Sequence, residues 1–146
     1  LEDRNGHYGF EATYEAAKQA FGMAHLNPAD LFKQGIIEVH DAFLPYVYPQ
    51  LTEMGLFNSL IDCICAFREG KCNENGTLPV NISGGLKGIG HPLAASSIRQ
   101  LVSITEQMRG LAGSLQLDRR PRYGASAAIG GFATANFITL IENNNY

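Results

Sequence analysis

Apolar residues recur along this chain at two different spacings, and these spacings predict an alternation of helices and strands. Between Glu11 and Asn27, alanine and phenylalanine return every three or four residues, which predicts a helix that ends before Pro28. Residues 36–40 form a short apolar run rich in β-branched side chains, which is typical of a buried strand. Residues 30–35, between the two, are expected to be a connector.

Residues 43–56 contain two prolines, Pro45 and Pro49, so they are expected to form a short helical segment interrupted by proline. This segment leads the chain out of the strand. Its tyrosines, Tyr46 and Tyr48, could line a tunnel for an acyl or aromatic substrate, or they could be packing residues. Of these two interpretations, packing is favoured.

A further helix is predicted over residues 59–69, with Asn58 as its N-cap. Its apolar face is expected to consist of four side chains, namely Leu60, Ile61, Ile64 and Phe67.

The longest predicted helix begins at Pro92 and ends near Arg109, before Gly110, which is a typical C-terminal stop. The residues expected to face inward are Ala94, Ile98, Leu101, Val102, Thr105 and Met108. The residues expected to face outward are Arg99, Gln100, Ser103, Glu106 and Gln107.

The last part of the chain contains two extended runs, residues 122–129 and 133–142. They are joined across Gly130 and Gly131, which predicts a β-hairpin. The chain then divides into three parts: an irregular polar segment over residues 1–10, an α/β domain over residues 11–142, and a polar tail over residues 143–146.

Composition narrows the class of protein. With 146 residues the chain has the length of one domain, and its hydrophobic content of 45% is enough to bury a core. A net charge of −3 does not favour nucleic acid or an anionic membrane as a partner. No stretch approaches the roughly 18 to 20 continuous apolar residues of a membrane span, and residues 1–4 lack the form of a secretion signal. A soluble protein of the cytoplasm is therefore expected.

The three cysteines are Cys63, Cys65 and Cys72. Their odd number and their spacing match neither a zinc site nor a redox Cys-x-x-Cys pair, so free thiols are expected and no metal site is predicted.

The basic cluster consists of Arg119, Arg120 and Arg122. A solvated loop is its default interpretation, and contact with a phosphate-bearing substrate or with a partner chain is the alternative.

The candidate chemistry centres on residues 80–92, which read as a strand end, a glycine-rich loop and the start of a helix. Four glycines within seven residues let the backbone adopt positive φ angles and approach another group closely. His91 is expected at the N-cap, where the helix dipole would favour an anionic ligand and a neutral imidazole. The alternative is a glycine-rich turn with a surface histidine.

His40 is the second candidate, because it falls at the carboxyl end of the predicted strand. In α/β sheets this is the edge where ligands bind. The alternative is a histidine that is hydrogen-bonded within a loop.

Three segments resemble signature motifs of the thiolase superfamily, in the same order and at similar spacing. Residues 81–96 resemble the motif Asn-x-x-Gly-Gly followed by Gly-His-Pro-x-Gly-Ala-[Ser/Thr], and residues 38–43 resemble Glu-x-His-Asp-[Ala/Cys]-Phe. Residues 124–131 are similar to the closing glycine-rich hairpin. The wording Ser-Gly-Gly-Leu at residues 83–86 is closest to sterol-carrier-protein-2-type thiolases and lipid-transfer-protein-like acyltransferases. The resemblance covers about residues 11–142.

This resemblance implies the fold and the roles of particular residues. The fold would be a partial thiolase-like C-terminal domain, with a mixed sheet covered by helices and a β-hairpin at its end. His91 would activate a nucleophilic cysteine, and His40 would help to form an oxyanion hole. Substrate-binding roles would fall to Ser83, Gly90, Gly130 and Gly131. The substrate would be an acyl thioester of coenzyme A, and no cofactor or metal is implied.

The chain also departs from the family pattern. Thiolases carry a second, acid/base cysteine at one of two positions, which here are Ala42 and Ala128. Without that sulfur, ordinary Claisen chemistry is doubtful, whereas acyl transfer without this proton shuttle or a retro-aldol cleavage stays open. A tyrosine near the site, such as Tyr46 or Tyr48, would favour the aldol reaction. A structural subunit without catalysis is a third hypothesis. Ala94 replaces the family glycine and narrows the space beside the helix.

The family cysteine lies in an N-terminal half that this sequence does not contain. The expected partner is therefore a second polypeptide, or the rest of a longer one, that carries this half and its nucleophilic cysteine. A hetero-oligomer involved in lipid metabolism would fit this expectation. The resemblance also makes a small zinc-ribbon and OB-fold protein a possible partner.

Overall fold

The computed structural model describes residues 10–131 and 133–144. Its helices are α1 (Glu11–Ala24), α2 (Pro28–Gln34), α3 (Val47–Glu53), α4 (Leu60–Arg68), α5 (Gly85–Ile89) and α6 (Ala94–Arg109). Its strands are β1 (Gly35–Val39), β2 (Tyr123–Gly130) and β3 (Ala135–Glu142). Two short 3₁₀ helices cover Leu44–Tyr46 and Gly113–Leu115. The predicted α/β fold is confirmed.

The three strands form one mixed sheet in the order β1-β2-β3. β1 runs parallel to β2, with Ile36 opposite Gly124, and β2 runs antiparallel to β3. The predicted C-terminal β-hairpin is therefore confirmed. On the other side of β1, Val80 forms a parallel bridge with Ile37, so β1 has neighbours on both sides.

The core has two parts, one on each face of the sheet. The larger part contains Ile37 and Val39 of β1 together with buried side chains of α1, α2, α3 and α4. The smaller part joins Ile36 to Ile104 and Met108 of α6. Because side chains alternate along a strand, Glu38 and the residue after the strand, His40, point to the α6 side.

The expected connector at residues 30–35 is wrong, because Pro28–Gln34 forms α2. Asn27 Oδ1 accepts a hydrogen bond from Ala29 N at 2.9 Å, and Asp30 Oδ2 accepts one from Asn27 N at 3.2 Å. α1 ends at a left-handed C-cap, His25, and Pro28 begins the next helix. The predicted N-cap Asn58 is likewise off by one, since Ser59 Oγ accepts from Asp62 N at 3.1 Å.

The predicted faces of α6 are wrong in large part. Its buried residues are Ser96, Gln100, Ser103, Ile104, Gln107 and Met108. The side chains of Ile98 and Val102 are 64% and 41% exposed. Polar residues can face this sheet because they are hydrogen-bonded: Gln107 Nε2 donates to Leu115 O at 2.6 Å. The apolar stripe of α6 points away from the sheet.

The predicted apolar face of α4 also differs from the structure. Cys63 and Ala66 are its buried residues, whereas Ile61 and Ile64 are exposed. Phe67 packs against the core as predicted.

The ends of the chain lie partly outside the described residues, including residues 1–9 of the predicted irregular segment. Phe10 is buried. Asn143, the first residue of the predicted tail, is hydrogen-bonded to the folded domain, because its N donates to Arg122 O at 2.8 Å. Among the helices of the described residues, none combines the length and the apolar character needed to cross a bilayer.

Candidate active site

His40 follows β1 directly and its backbone is held by a buried side chain of α3. Gln50 Oε1 accepts a hydrogen bond from His40 N at 3.1 Å, and Gln50 Nε2 donates to His40 O at 2.6 Å and to Tyr46 O at 2.8 Å. Gln50 is fully buried. The position of His40, which follows β1, is therefore set by Gln50, a residue of α3.

The end of β1 is completed on its other side by Asn81. Val39 N donates to Asn81 Oδ1 at 2.7 Å, and Asn81 Nδ2 donates to Val39 O at 3.2 Å. Asn81 itself has a left-handed φ of 52°, a conformation that asparagine tolerates better than most residues. Its amide thus replaces the backbone of a neighbouring strand beside His40.

His91 does not cap the long helix, so that prediction is wrong. The glycine-rich segment contains the short helix α5, and α6 begins at Ala94 with Leu93 at the N-cap. Gly90 and Leu93 both have positive φ, 90° and 44°, and they turn the chain before the helix can start. His91 is instead tied to the first turn of α6, where its Nδ1 and Ser96 Oγ are hydrogen-bonded at 2.7 Å.

The two predicted histidines lie side by side. The ring centroids of His40 and His91 are 4.9 Å apart, and the ring planes meet at 83°. One ring comes from the end of a strand and the other from the glycine-rich segment, so only the tertiary fold brings them together. Because Nδ1 of His91 is engaged by Ser96, Nε2 is the nitrogen left for chemistry.

Burial lowers the pKa of His40 below its usual value of 6.5, and the neighbouring His91 lowers this pKa further. The carboxylate of Asp41 opposes this effect. A lowered pKa keeps His40 neutral near pH 7, so that its imidazole can donate a hydrogen bond without carrying a charge.

Both histidines line a cavity of about 670 Å³. Its polar wall consists of His40, His91, Ser96, Ser97 and Gln100. The rest of the wall consists of Ala42, Phe43, Leu93, Ala94, Ala128, Ile129, Gly130, Gly131 and Phe137. The structure therefore brings together four of the predicted site residues: His40, His91, Gly130 and Gly131.

Ser83 and Gly90 are placed differently. Ser83 lines a second cavity of about 320 Å³, where its Oγ donates to Glu38 Oε2 at 2.8 Å and its N donates to Glu38 Oε1 at 3.2 Å. Gly90 is adjacent to His91 in the chain but is not part of the wall of the histidine cavity. The substrate-binding roles of these two residues stay predictions.

Glu38 is 1% exposed, and burial raises its pKa from 4.5 to about 7. The hydrogen bonds from Ser83 oppose this shift, and the nearby Asp41 adds to it. This carboxyl group therefore titrates near neutral pH, two residues before His40 on the same face of the strand.

Asp41 connects the strand end to the glycine-rich segment. Its Oδ1 accepts a hydrogen bond from Leu86 N at 2.7 Å. Gly85 has a φ of 60°, and a Cβ atom at this position would overlap the Asp41 carboxylate. Glycine is required at position 85 because the glycine-rich segment, which carries His91, lies directly against Asp41, the residue after His40.

Three residues around the histidines were not predicted from the sequence, namely Gln50, Ser96 and Gln100. Ser96 had a signal, since it occupies the [Ser/Thr] position of the Gly-His-Pro motif. Gln50 and Gln100 had none, because their partners are backbone groups of other elements.

The predicted free thiols are confirmed, and none of the three cysteines is part of the cavity wall formed by the described residues. Burial raises the pKa of Cys63 to about 12 and that of Cys72 to about 11. Both belong to the large core. These two thiols are inert at neutral pH, and Cys65 is exposed.

The two tyrosines and the basic cluster make structural contacts. Tyr48 packs against Phe67 with ring centroids 5.3 Å apart, in agreement with the packing interpretation. Tyr46 contacts Phe10 at 5.2 Å, and neither tyrosine lines the histidine cavity. Two of the arginines hold the fold together: Arg119 donates to Lys33 O and Thr77 O, and Arg122 pairs with Glu142 at 2.9 Å. Within residues 10–131 and 133–144, no group of three or more His, Cys, Asp or Glu side chains is placed to hold a metal ion.

Comparison with known proteins gives several relatives. An acetyl-CoA acetyltransferase of Methanothermobacter thermautotrophicus is 38% identical over 131 residues, which are 90% of this chain and 33% of that protein. Sterol carrier protein 2 of Oryctolagus cuniculus is 33% identical over 142 residues, which are 92% of this chain and 23% of that protein. The chain thus spans a third or less of the length of these relatives.

A solved structure titled Ltp2-ChsH2(DUF35) aldolase superposes with a TM-score of 0.77 at 22% identity, covering 93% of this chain and 33% of that one. The family described as Thiolase C-terminal domain-like matches residues 2–143. With the fold, the motifs and this match in agreement, the chain belongs to the thiolase C-terminal domain-like family.

Proposed function

We propose that this chain supplies the two histidines of an acyl-thioester active site. The observation that carries the proposal is the pair of imidazoles, His40 and His91, with ring centroids 4.9 Å apart in the wall of one cavity. The name of one relative, an acetyl-CoA acetyltransferase, supports a coenzyme A thioester as the substrate.

The nucleophile comes from outside this chain. Acyl transfer through a covalent intermediate needs a thiolate, a base beside it, and donors aimed at the developing oxyanion. This chain offers the base and one donor, and none of its cysteines lies in the cavity wall. A cysteine on the rest of a longer polypeptide, or on a partner chain, completes the set.

The proposed roles follow from the hydrogen bonds. Nε2 of His91 takes the proton of the cysteine thiol, while Ser96 holds Nδ1. The thiolate sulfur then attacks the carbonyl carbon of the thioester, a carbon–sulfur bond forms, and the carbonyl oxygen becomes negative. Neutral His40 donates a hydrogen bond to this oxygen, directly or through a water molecule. When the tetrahedral intermediate collapses, coenzyme A leaves as a thiolate and takes the proton from His91.

Exposed apolar residues around the site fit a covering polypeptide. Phe43, Leu93 and Phe137 at the cavity are 64%, 76% and 67% exposed. Ile98 and Val102 continue this apolar surface along α6. Apolar surfaces of this kind are typical of interfaces. The N-terminal half that the family resemblance implies, in the same polypeptide or in a partner, is the proposed cover, and a zinc-ribbon and OB-fold protein stays a prediction.

Replacement of His91 in the complete protein or assembly tests this function. His91→Ala is expected to lower kcat by about 100-fold or more, since general acid–base groups contribute about 10² to 10⁴. His25→Asn is the matched control, because His25 lies at the end of α1, outside the cavity, in a left-handed conformation that asparagine accepts. Unchanged turnover in His91→Ala would refute the catalytic proposal and leave a structural subunit.

An aldol cleavage is the second candidate function. Ala42 and Ala128 both line the cavity, at the two positions where thiolases carry their acid/base cysteine. Among residues 10–131 and 133–144, the cavity wall therefore offers no second sulfur for Claisen chemistry. The superposed structure is titled an aldolase, but a shared fold does not decide between reactions.

Two assays separate these candidates. Thiolysis of a 3-ketoacyl-CoA by coenzyme A would support Claisen chemistry, and release of an aldehyde or ketone from a 3-hydroxyacyl-CoA would support the aldol reaction. Because neither Tyr46 nor Tyr48 lines the cavity, these residues do not supply the acid/base group that the aldol reaction needs.

A further inference from the structure

The parallel pairing of β1 with β2 ends one residue before His40. Its last pair is Val39 with Ala127, and the same register would next place His40 opposite Ala128. β2 itself continues to Gly130, where it is paired with β3 alone. The two strands therefore part at the histidine. Residues beyond the last pair line the histidine cavity from both strands, namely His40, Ala42 and Phe43 on one side and Ala128, Ile129 and Gly130 on the other.

Two glutamines bind the backbone groups that a continued ladder would have joined. Backbone groups of alternate residues in β1 face β2, and by this alternation those of His40 do so as well. Instead of a β2 carbonyl, Gln50 Oε1 accepts the hydrogen bond from His40 N at 3.1 Å. On the other strand, Ala127 O accepts from Gln100 Nε2 at 3.3 Å. Gln50 comes from α3 and Gln100 from α6, which cover opposite faces of the sheet.

Gln50 makes the closer contacts of the two. Its Nε2 also donates to His40 O at 2.6 Å and to Tyr46 O at 2.8 Å, and the residue is 0% exposed. The orientation of this amide is fixed, because only its NH₂ group can donate to two carbonyls. Both backbone groups of His40 are thus bound by one side chain. The backbone on either side of the imidazole cannot rotate without breaking a buried hydrogen bond, which is costly.

We propose that Gln50 is a positioning residue for the reaction and that it acts through His40. This inference rests on the acyl-thioester function proposed above. Gln50 holds the backbone of His40 out of the β1–β2 ladder, which keeps the strands apart at the cavity and directs the imidazole toward His91, with ring centroids 4.9 Å apart. An oxyanion donor is effective when its direction is fixed before the charge develops, and a displacement of about 1 Å can slow a reaction about 100-fold.

A double-mutant cycle in the complete protein or assembly tests this inference. His40→Ala removes the imidazole, and Gln50→Met removes the amide but keeps a side chain of similar length. We expect Gln50→Met to lower kcat about tenfold or more with little change in KM, because the donor acts in the transition state. In the His40→Ala background the same substitution should change kcat by less than about twofold, because no imidazole is left to position.

Gln107→Met is the matched control for a loss of stability. Gln107 is also a buried glutamine whose amide binds backbone groups: its Nε2 donates to Leu115 O at 2.6 Å, and its Oε1 accepts from Leu117 N at 2.9 Å. Both substitutions should lower the melting temperature. Gln107→Met should nevertheless leave kcat within about twofold of the wild type, since its partners lie outside the histidine cavity.

The outcomes separate the role of Gln50 from the proposed function. An equal loss of kcat from Gln50→Met in both backgrounds, or no loss in either, would refute the role of Gln50 and leave the proposed function standing. An unchanged kcat in His40→Ala would instead refute the proposed role of His40.

A second variant covers the case in which Gln50→Met does not fold. Gln50→Glu keeps the size of the side chain, and burial favours its neutral form. A neutral carboxyl group can accept from His40 N but has one O–H for two carbonyls. We expect a smaller loss of kcat, which again disappears in the His40→Ala background. A loss that persists in that background would overturn the role of Gln50.

Discussion

The buried carboxyl group of Glu38 makes the stability of this protein depend on pH in a direction opposite to that of most acidic residues. Its pKa is 4.5 in an exposed side chain and about 7 in the fold, because burial disfavours the charged form. Below the lower value the group is protonated in both the folded and the unfolded state. Between the two values the unfolded state loses the proton and the folded state keeps it, so stability falls as pH rises.

The size of this effect follows from the two pKa values. One pKa unit corresponds to 1.36 kcal/mol, so the raised pKa of Glu38 destabilises the fold by about 3 kcal/mol above neutral pH. Glu38→Gln has the same shape, can still bond to Ser83, and does not titrate. The measured quantity is the difference in unfolding free energy between Glu38→Gln and the wild type. We expect this difference to rise by about 3 kcal/mol from about pH 4 to about pH 8.

Urea denaturation of the two complete proteins across this range measures the difference, and titrations of all other groups cancel in it. Carbon NMR of the Glu38 carboxyl group should show a titration midpoint near 7 in the folded protein. A difference in unfolding free energy that changes by less than about 1 kcal/mol over the range would contradict the reasoning. It would mean that Glu38 is charged in the fold and stabilised by groups other than Ser83.

Three further predictions concern the surroundings of the histidines. Gly85→Ala is expected to lower the free energy of unfolding by about 2 to 4 kcal/mol, because its Cβ would overlap the Asp41 carboxylate and its φ is positive. Gly88→Ala is the control in the same short helix, because its Cβ would meet no atom within 4 Å. Urea denaturation should show that Gly88→Ala changes the free energy of unfolding by about 1 kcal/mol or less. Ser96→Ala is expected to lower kcat about tenfold with little change in KM, because it removes the hydrogen bond that positions His91. Ser96→Thr keeps a hydroxyl group and should restore kcat. Equal loss of kcat in both variants, measured by steady-state kinetics, would contradict the positioning role of Ser96. Ile98→Asp is expected to lower the melting temperature of the complete protein or to dissociate its assembly in size-exclusion chromatography, while Ile61→Asp, at a similarly exposed isoleucine of α4, should do neither.

Much of the fold was predictable because its signals are local. The spacing of alanines predicted α1, the β-branched run predicted β1, and the two glycines between extended runs predicted the hairpin. The histidines were predictable for the same reason, since His40 and His91 each stand in a short motif next to a recognisable element end. Their pairing in one cavity agrees with the roles that the family resemblance implied, although those roles stay a proposal.

The contacts that hold the site were not predictable, because they join residues far apart in the chain. Asn81 pairs with Val39 across 42 positions, and Asp41 binds Leu86 N across 45. A left-handed φ at Asn81 or a required glycine at Gly85 becomes visible only when the neighbouring element is in place.

The sequence by itself determined the longer helices, the three strands, the family and the two candidate histidines, because periodicity and short motifs depend on neighbouring residues. It did not reveal the short helices α2 and α5. Only the tertiary structure decided which face of α6 meets the sheet. Apolar spacing shows that a helix has an apolar side but not which surface covers it. Here hydrogen bonds satisfy the polar side, with Gln107 as the clearest case, and Ile98 and Val102 are left at the surface. That orientation also places Gln100 in the wall of the cavity that the two histidines line, which no local pattern could have shown.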